Sequence, residues 1–253
     1  MEKIDNKKEE SLSETIKTVI YAILIAMTIR TFWFEPFKIP SGSMYPTLEV
    51  GDFLFVSKYT YGYSRHSFPL SFPTFKGRIW ADLPKRGDVV VFKYPGDNKT
   101  DYIKRVIGLP GDTVQVKNGI LHINDKAVER TEKGQYLIDE YVILPMLLTE
   151  YTETFPNGHK HQILEHKDNV PVVDNTPKFA IPEGYYFMMG DNRDNSNDSR
   201  KDVGIVPFEN IEGKARFLFF SVDDSAKWYN PISWITSIRW KRLFNKRAKR
   251  NCN

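Results

Sequence analysis

Twelve uncharged and mostly apolar residues, Thr18–Ile29 (TVIYAILIAMTI), constrain this chain more than any other feature. The run resumes after Arg30 as Thr31-Phe-Trp-Phe34. Thr18–Phe34 is thus seventeen residues, at the short end of the roughly 17–25 that a helix needs to cross a bilayer. Lys17 and Arg30 can extend their charged ends outward, and Trp33 suits an interface. A cleavable leader shares the charged start and short apolar core. The residues just past this core are bulky, however: Arg30, Phe32, Trp33, Phe34, Glu35 and Pro36, with no small-x-small cleavage site. In a soluble protein, a helix apolar on every side would need a large cover. The expectation is an uncleaved anchor. Charge leaves its orientation open, because residues 1–17 carry four Lys and five acids.

The rest of the 253 residues is polar enough that mean hydropathy is −0.45, which excludes a multispan membrane protein. The net charge of +4 suggests a basic protein only until it is divided. Residues 239–250 hold seven Lys or Arg and no acid, and the remaining 29 basic side chains are outnumbered by 32 acids. Neither part reads as a nucleic-acid surface. One cysteine, Cys252, excludes an internal disulfide framework and a cysteine zinc site.

Past Phe34 the apolar pattern is that of strands. Asp52–Ser57, Gly87–Phe92, Tyr185–Met189 and Ala215–Val222 are β-branched or aromatic runs bounded by turn residues. Thr113–Val116 and Ile120–Ile123 flank Asn118-Gly119, the pair preferred in a tight hairpin turn. The fold class is mainly β. An antiparallel sheet core carries a β insert and follows one N-terminal transmembrane helix. The divisions expected are a short N-terminus (1–17), the anchor (18–34), core (35–124), insert (125–180), core again (181–225) and a basic amphipathic tail (226–253). Tyr141–Leu148 is the strand candidate in the acidic, loop-rich insert. Two stretches stay open: the aromatic Tyr59–Trp80 is either a loop packed on the core or a membrane-facing lip, and the tail segment Trp234–Arg250 either binds anionic lipid or is a solvated C-terminus.

Three polar stretches are candidates to carry chemistry, although the first alone reads as an ordinary turn and the last alone as a solvated one. Pro40–Leu48 presents Ser41-Gly-Ser43 on a turn stiffened by Pro40 and Pro46, the setting a nucleophile needs. A serine hydroxyl needs a base. His66, His122, His159, His161 and His166 stand beside no hydrolase motif, and Gly-x-Ser-x-Gly, His-Glu-x-x-His and Ser-x-x-Lys are absent. Lys104 is the alternative, since it sits among strand residues of Tyr102–Asp112. Burial there lowers an ammonium pKa and makes a base, whereas a strand-edge position leaves an ordinary surface lysine. Gly190–Arg200 (GDNRDNSNDSR) fails as a calcium loop, because Arg193 takes a ligand position and Ser196 the turn glycine. Its complementary groups suit a hydrogen-bond and ion-pair network that orients something else.

In this order, and directly after an anchor, these stretches resemble the boxes of bacterial type I signal peptidase, the leader peptidase family of membrane-bound serine proteases. Ser41–Leu48 is similar to the nucleophile box and Lys85–Phe92 to the strand box. Tyr102–Asp112 is similar to the lysine box and Gly190–Arg200 to the last. The resemblance spans about residues 16–222. It implies Ser43 as nucleophile, Lys104 as general base, and Ser41 completing an oxyanion hole with the Ser43 N–H. Ser196 would orient Lys104, and Arg105, Asp191, Arg193, Asp198 and Arg200 would support them. It further implies exported preproteins cut after small residues at −1 and −3, and a single-pass enzyme of the inner membrane facing the periplasm. Membrane lipids are implied as partners, and no cofactor, metal or nucleic acid is. Two other readings are a self-cleaving Ser–Lys protease of the repressor type, for which residues 1–17 leave no room for a DNA-binding unit, and a silent peptide-binding β module. The distance between Ser43 and Lys104 decides the latter.

Overall fold

The structure is a computed structural model that describes residues 2–68, 71–72, 74–138, 146–166, 172–223, 233 and 236–243. The apolar segment lies in one helix, α1 (Glu2–Phe32). Its part Leu12–Phe32 has a mean hydropathy of 1.6, is long and apolar enough to cross a membrane, and is exposed except at Thr31. The helix begins well before Thr18 and stops before Phe34. Pro36 removes a backbone donor and disfavours helical geometry in the residue before it. The last apolar residue, Phe34, instead opens strand β1 (Phe34–Lys38).

β1 edges a seven-stranded antiparallel sheet. Its neighbours are, in order, β2 (Asp52–Ser57), β14 (Ile211–Ser221), β3 (Val89–Lys93), β4 (Asp101–Gly108), β12 (Tyr185–Met189) and β13 (Val206–Pro207). β3 is central and almost wholly buried, so its apolar run does not alternate with polar residues. Strand alternation sends Val89 and Val91 to one face, where they pack with Ile39, Met44, Leu48, Leu54 and Ile103. Val90 and Phe92 go to the other, with Val106, Tyr186 and Met188.

A four-stranded sheet joins β5 (Thr113–Lys117), β6 (Ile120–Ile123), β7 (Lys126–Ala127) and β11 (Phe179–Ala180). Its first hairpin turns on Asn118 and Gly119, with φ of 48° and 74°, the double positive φ of the expected turn. A separate three-stranded sheet contains β8 (Glu129–Ile138), β9 (Met146–Thr154) and β10 (Lys160–Glu165). The segment expected to be loop-rich is thus an extended antiparallel arm. Of the strand expected at 141–148, residues 146–148 belong to β9 and the others lie outside the described residues. Leu164 in β10 makes a parallel bridge to Asn192, which brings the arm against the loop after β12.

The aromatic stretch divides. Tyr61 is buried, whereas Phe72 and Trp80 are exposed. In the tail, Trp234 and residues 244–253 lie outside the described residues. The short helix α2 (Trp240–Leu243) docks on the core through ion pairs. Arg239 reaches Glu49 at 3.0 Å and Arg242 reaches Asp52 at 2.5 Å, so these two tail cations are committed to protein carboxylates.

Candidate active site

Ser43 occupies a single 3-10 turn, Gly42–Met44, that connects β1 to β2. Its neighbours fix it: Met44 and Leu48 are fully buried in the cluster beneath it. Burying each side chain contributes about 1.5–3 kcal/mol. The turn is also tied to the loop after β12. The Asn192 N–H donates to the Ser43 carbonyl at 3.1 Å, and Asn192 Nδ2 donates to the Gly42 carbonyl at 3.1 Å.

Lys104 projects from β4 so that its Nζ stands 2.8 Å from Ser43 Oγ and 2.9 Å from the Ile103 carbonyl. The lysine is 4% exposed and Ser43 8%. Burial pulls the ammonium pKa down to about 8, against the opposing pull of Asp198 and Asp191. A lysine of this kind is substantially neutral at mildly alkaline pH. The strand-edge alternative is therefore excluded, and so is the silent module that required these side chains to stand apart. The pair borders a cleft of about 480 Å³, lined by Pro40–Ser43 on one side and Thr100–Lys104 on the other. Ser41 is exposed beside it, in extended backbone with φ −138° and ψ 154°.

The loop after β12 forms a wall of paired charges. Arg105 is wholly buried and grips Asp191 through two bonds, at 2.8 and 2.6 Å, while donating to the Gly87 carbonyl at 2.7 Å. Thr47 Oγ1 donates to the same carboxylate at 2.6 Å, so the wall reaches the Ser43 segment itself. Burial raises the Asp191 pKa, but Arg105 outweighs it and holds the carboxyl below its usual range. Asp198 likewise accepts from Arg200 at 3.0 and 2.9 Å and from the Gly190 N–H at 3.0 Å.

Arg193 finds its partner in the arm, where Glu153 of β9 accepts from both guanidinium ends. His161 Nε2 sits 3.3 Å from the same carboxylate, and burial lowers the imidazole pKa. Thr47, Glu153 and His161 were not singled out by the motifs. The local sequence gives no sign that Arg193 pairs with an acid 40 residues away rather than with the neighbouring Asp194. Among the described residues, no group of His, Cys, Asp or Glu is arranged to hold a metal ion.

One expected contact is not made. Ser196 Oγ is buried but does not bond Lys104, whose Nζ bonds Ser43 and Ile103 instead. Ser196 packs against Gly190, where an added Cβ would lie 2.3 Å from Ser196 Oγ and 2.5 Å from the Ser43 carbonyl oxygen. Gly190→Ala must therefore push the Ser43 turn out of line. We expect kcat/KM to fall by about 10²-fold or more, as for a misplacement of about 1 Å, with the protein still folded by circular dichroism.

A buried, partly neutral lysine touching a serine in a cleft open along a strand edge, on a sheet tethered to an apolar helix, defines a membrane-anchored serine endopeptidase of the Ser–Lys type. Residues 12–220 match the model of the family described as signal peptidase, peptidase S26. Signal peptidase I of Rickettsia typhi (strain ATCC VR-144 / Wilmington) is 41% identical over 263 residues, covering 96% of this chain and 97% of that one. Signal peptidase I of Rickettsia conorii (strain ATCC VR-613 / Malish 7) is 44% identical over 243 residues, covering 88% and 89%. A crystal structure of a signal peptidase I from Enterococcus faecalis V583 is 26% identical, with a TM-score of 0.31, and covers 52% of this chain and 96% of that one. The chain belongs to the signal peptidase family, peptidase S26.

Proposed function

We propose that Ser43 is the nucleophile and Lys104 the general base of an enzyme that removes signal peptides from exported preproteins, cutting after small residues at −1 and −3. The observation that carries this reading is the 2.8 Å approach of Lys104 Nζ to Ser43 Oγ, with both side chains buried. Neutral Lys104 takes the hydroxyl proton as Oγ attacks the scissile carbonyl. The resulting oxyanion is held by the Ser43 N–H and the Ser41 hydroxyl, each donor being worth about 2.7–4 kcal/mol by analogy with such sites. Collapse expels the amine of the mature protein, which takes the proton from Lys104. A water molecule activated by the same lysine then frees Ser43 from the acyl-enzyme. Arg105, Asp191, Arg193, Asp198 and Arg200 hold the walls of this site, and Ser196 adds a buried hydroxyl beside Gly190.

The anchor serves the reaction by confining enzyme and substrate to one thin layer, since the apolar core of a signal peptide is itself in the bilayer. The β domain works on the outer, periplasmic face of the inner membrane, with lipid around Leu12–Phe32. Residues 35–124 and 181–225 supply the catalytic core, and 125–180 supplies an arm that braces Arg193 through Glu153.

The test is incubation of the detergent-solubilised full chain with a preprotein across a pH series, with the released fragment weighed by mass spectrometry. One cut after a small residue is expected. Lys104 must be neutral to accept a proton, so kcat/KM should rise with pH and level off above about 8. An acid optimum would exclude lysine as the base.

A further inference from the structure

A second cavity, of about 650 Å³, lies between the end of α1 and the concave face of the large sheet, and it shares Asp101 with the cleft at Ser43. Strand register explains its lining. Val91 pairs with Ile103 and Lys93 with Asp101, so the face that is apolar near Ser43 becomes charged two residues further along. A β-bulge between Ile211 and Gly213 adds Glu212 to the same place. Lys93 Nζ stands 2.5 Å from Asp101 and 3.2 Å from Glu212. Nearer the helix, Glu35 takes both Arg30 and Lys58, at 2.5 and 2.7 Å.

The cavity is therefore bipolar. Two cations share one carboxylate at the anchor end, and two carboxylates share one ammonium at the cleft end. Lys99 stands exposed at the rim, where solvent screens it. Burial and then Asp101 push the Glu212 carboxyl up to about 7, against Lys93 and Lys58. Glu212 and Asp101 thus share the one ammonium of Lys93.

We infer that Glu212 and Asp101 form a subsite that selects a basic side chain in the substrate just upstream of its small −3 residue and disfavours an acidic one. The inference rests on Ser43 and Lys104 being the cleavage centre. A substrate held in the bilayer must pass the end of α1 to reach Ser43. Asp101 lies three residues before Lys104, or about 10 Å at roughly 3.3 Å per residue. The substrate residues at about −4 to −6 therefore lie over Lys93 and Glu212. An ammonium there gives the two carboxylates a second cation, whereas a carboxylate becomes a third acid around Lys93.

Three preproteins identical except for Lys, Ser or Asp at −5 test this with the full chain in detergent. The Lys form should exceed the Asp form in kcat/KM by roughly tenfold, the order of one close charge contact. In Glu212→Gln the ratio should fall to about one or two. Comparing the ratio within each variant removes any change in overall activity or folding yield. If Glu212→Gln does not fold, Asp101→Asn, which leaves the bulge untouched, decides the matter by the same loss of the ratio. A ratio near one in the native enzyme, or one retained in the variant, overturns the subsite. Failure of the native enzyme to cut even the Ser preprotein overturns the cleavage centre instead, so the two failures are distinct.

Discussion

Ser43→Ala and Lys104→Met should each lower kcat/KM for a preprotein by about 10⁴-fold or more, and the double variant should be no worse than either alone. Residues that act as one unit lose their whole contribution when either is removed. Without Lys104 the hydroxyl keeps its proton, and without Ser43 the lysine has nothing to activate. The two replacements should differ in stability. Lys104 is 4% exposed and its ammonium form is disfavoured by burial, so a methionine of similar length removes a desolvation cost. Its thermal midpoint should equal or exceed the native one, which would show that inactivity does not come from unfolding. Ser41→Ala should cost only about 10²-fold, because one oxyanion donor remains in the Ser43 N–H. Full activity in either dyad variant would remove the proposed mechanism.

How much of this was legible beforehand differs from residue to residue, for physical reasons. The anchor was legible because no soluble packing covers a helix apolar on every side, and Asn118-Gly119 because few pairs accept two positive φ values. The end of the helix was not, because Trp33 and Phe34 are as apolar as the span. What stops the helix is Pro36, whose effect acts backward along the chain. Strand β3 was legible as a strand from its β-branched run. The burial of Lys104 was not: the same lysine on an exposed edge would leave an identical local sequence, and only the packing of the Ser43 turn over β4 buries it. The arm was least legible. Glu153 and His161 lie in an acidic, histidine-bearing segment whose polar residues suggest solvent, yet β9 and β10 carry them to Arg193, 40 residues from Glu153 in sequence. Charge pairing across that distance leaves no local pattern. Glu212 was hidden for a related reason, since a bulge rather than regular alternation turns it inward.

Asp191→Ala should destabilise the protein by about 3–5 kcal/mol, because it strands the Arg105 guanidinium, which has no exposed surface, without its carboxylate. Arg105→Ala should cost a similar amount by stranding Asp191. Urea midpoints at constant slope measure both. The sign of the pH effect is set by the direction of the shift. Arg105 holds the Asp191 pKa below its unfolded value, so the stabilisation is present above about pH 4 and is lost as pH falls through the lowered pKa. Asp191→Ala should therefore flatten the acid limb of the stability curve. Stability alone does not show why such a pair is kept, because apolar residues of similar volume can replace buried ion pairs at little cost. Arg105→Met combined with Asp191→Leu should recover much of the lost stability. Activity should not recover with it. Asp191 also accepts the Thr47 hydroxyl, four residues from Ser43, and Asn192 beside it holds the Ser43 and Gly42 carbonyls. A stable but slow double variant, with kcat lowered more than KM is raised, would identify the pair as the part that holds the nucleophile turn against Lys104. Recovery of both stability and rate would reduce it to a packing element.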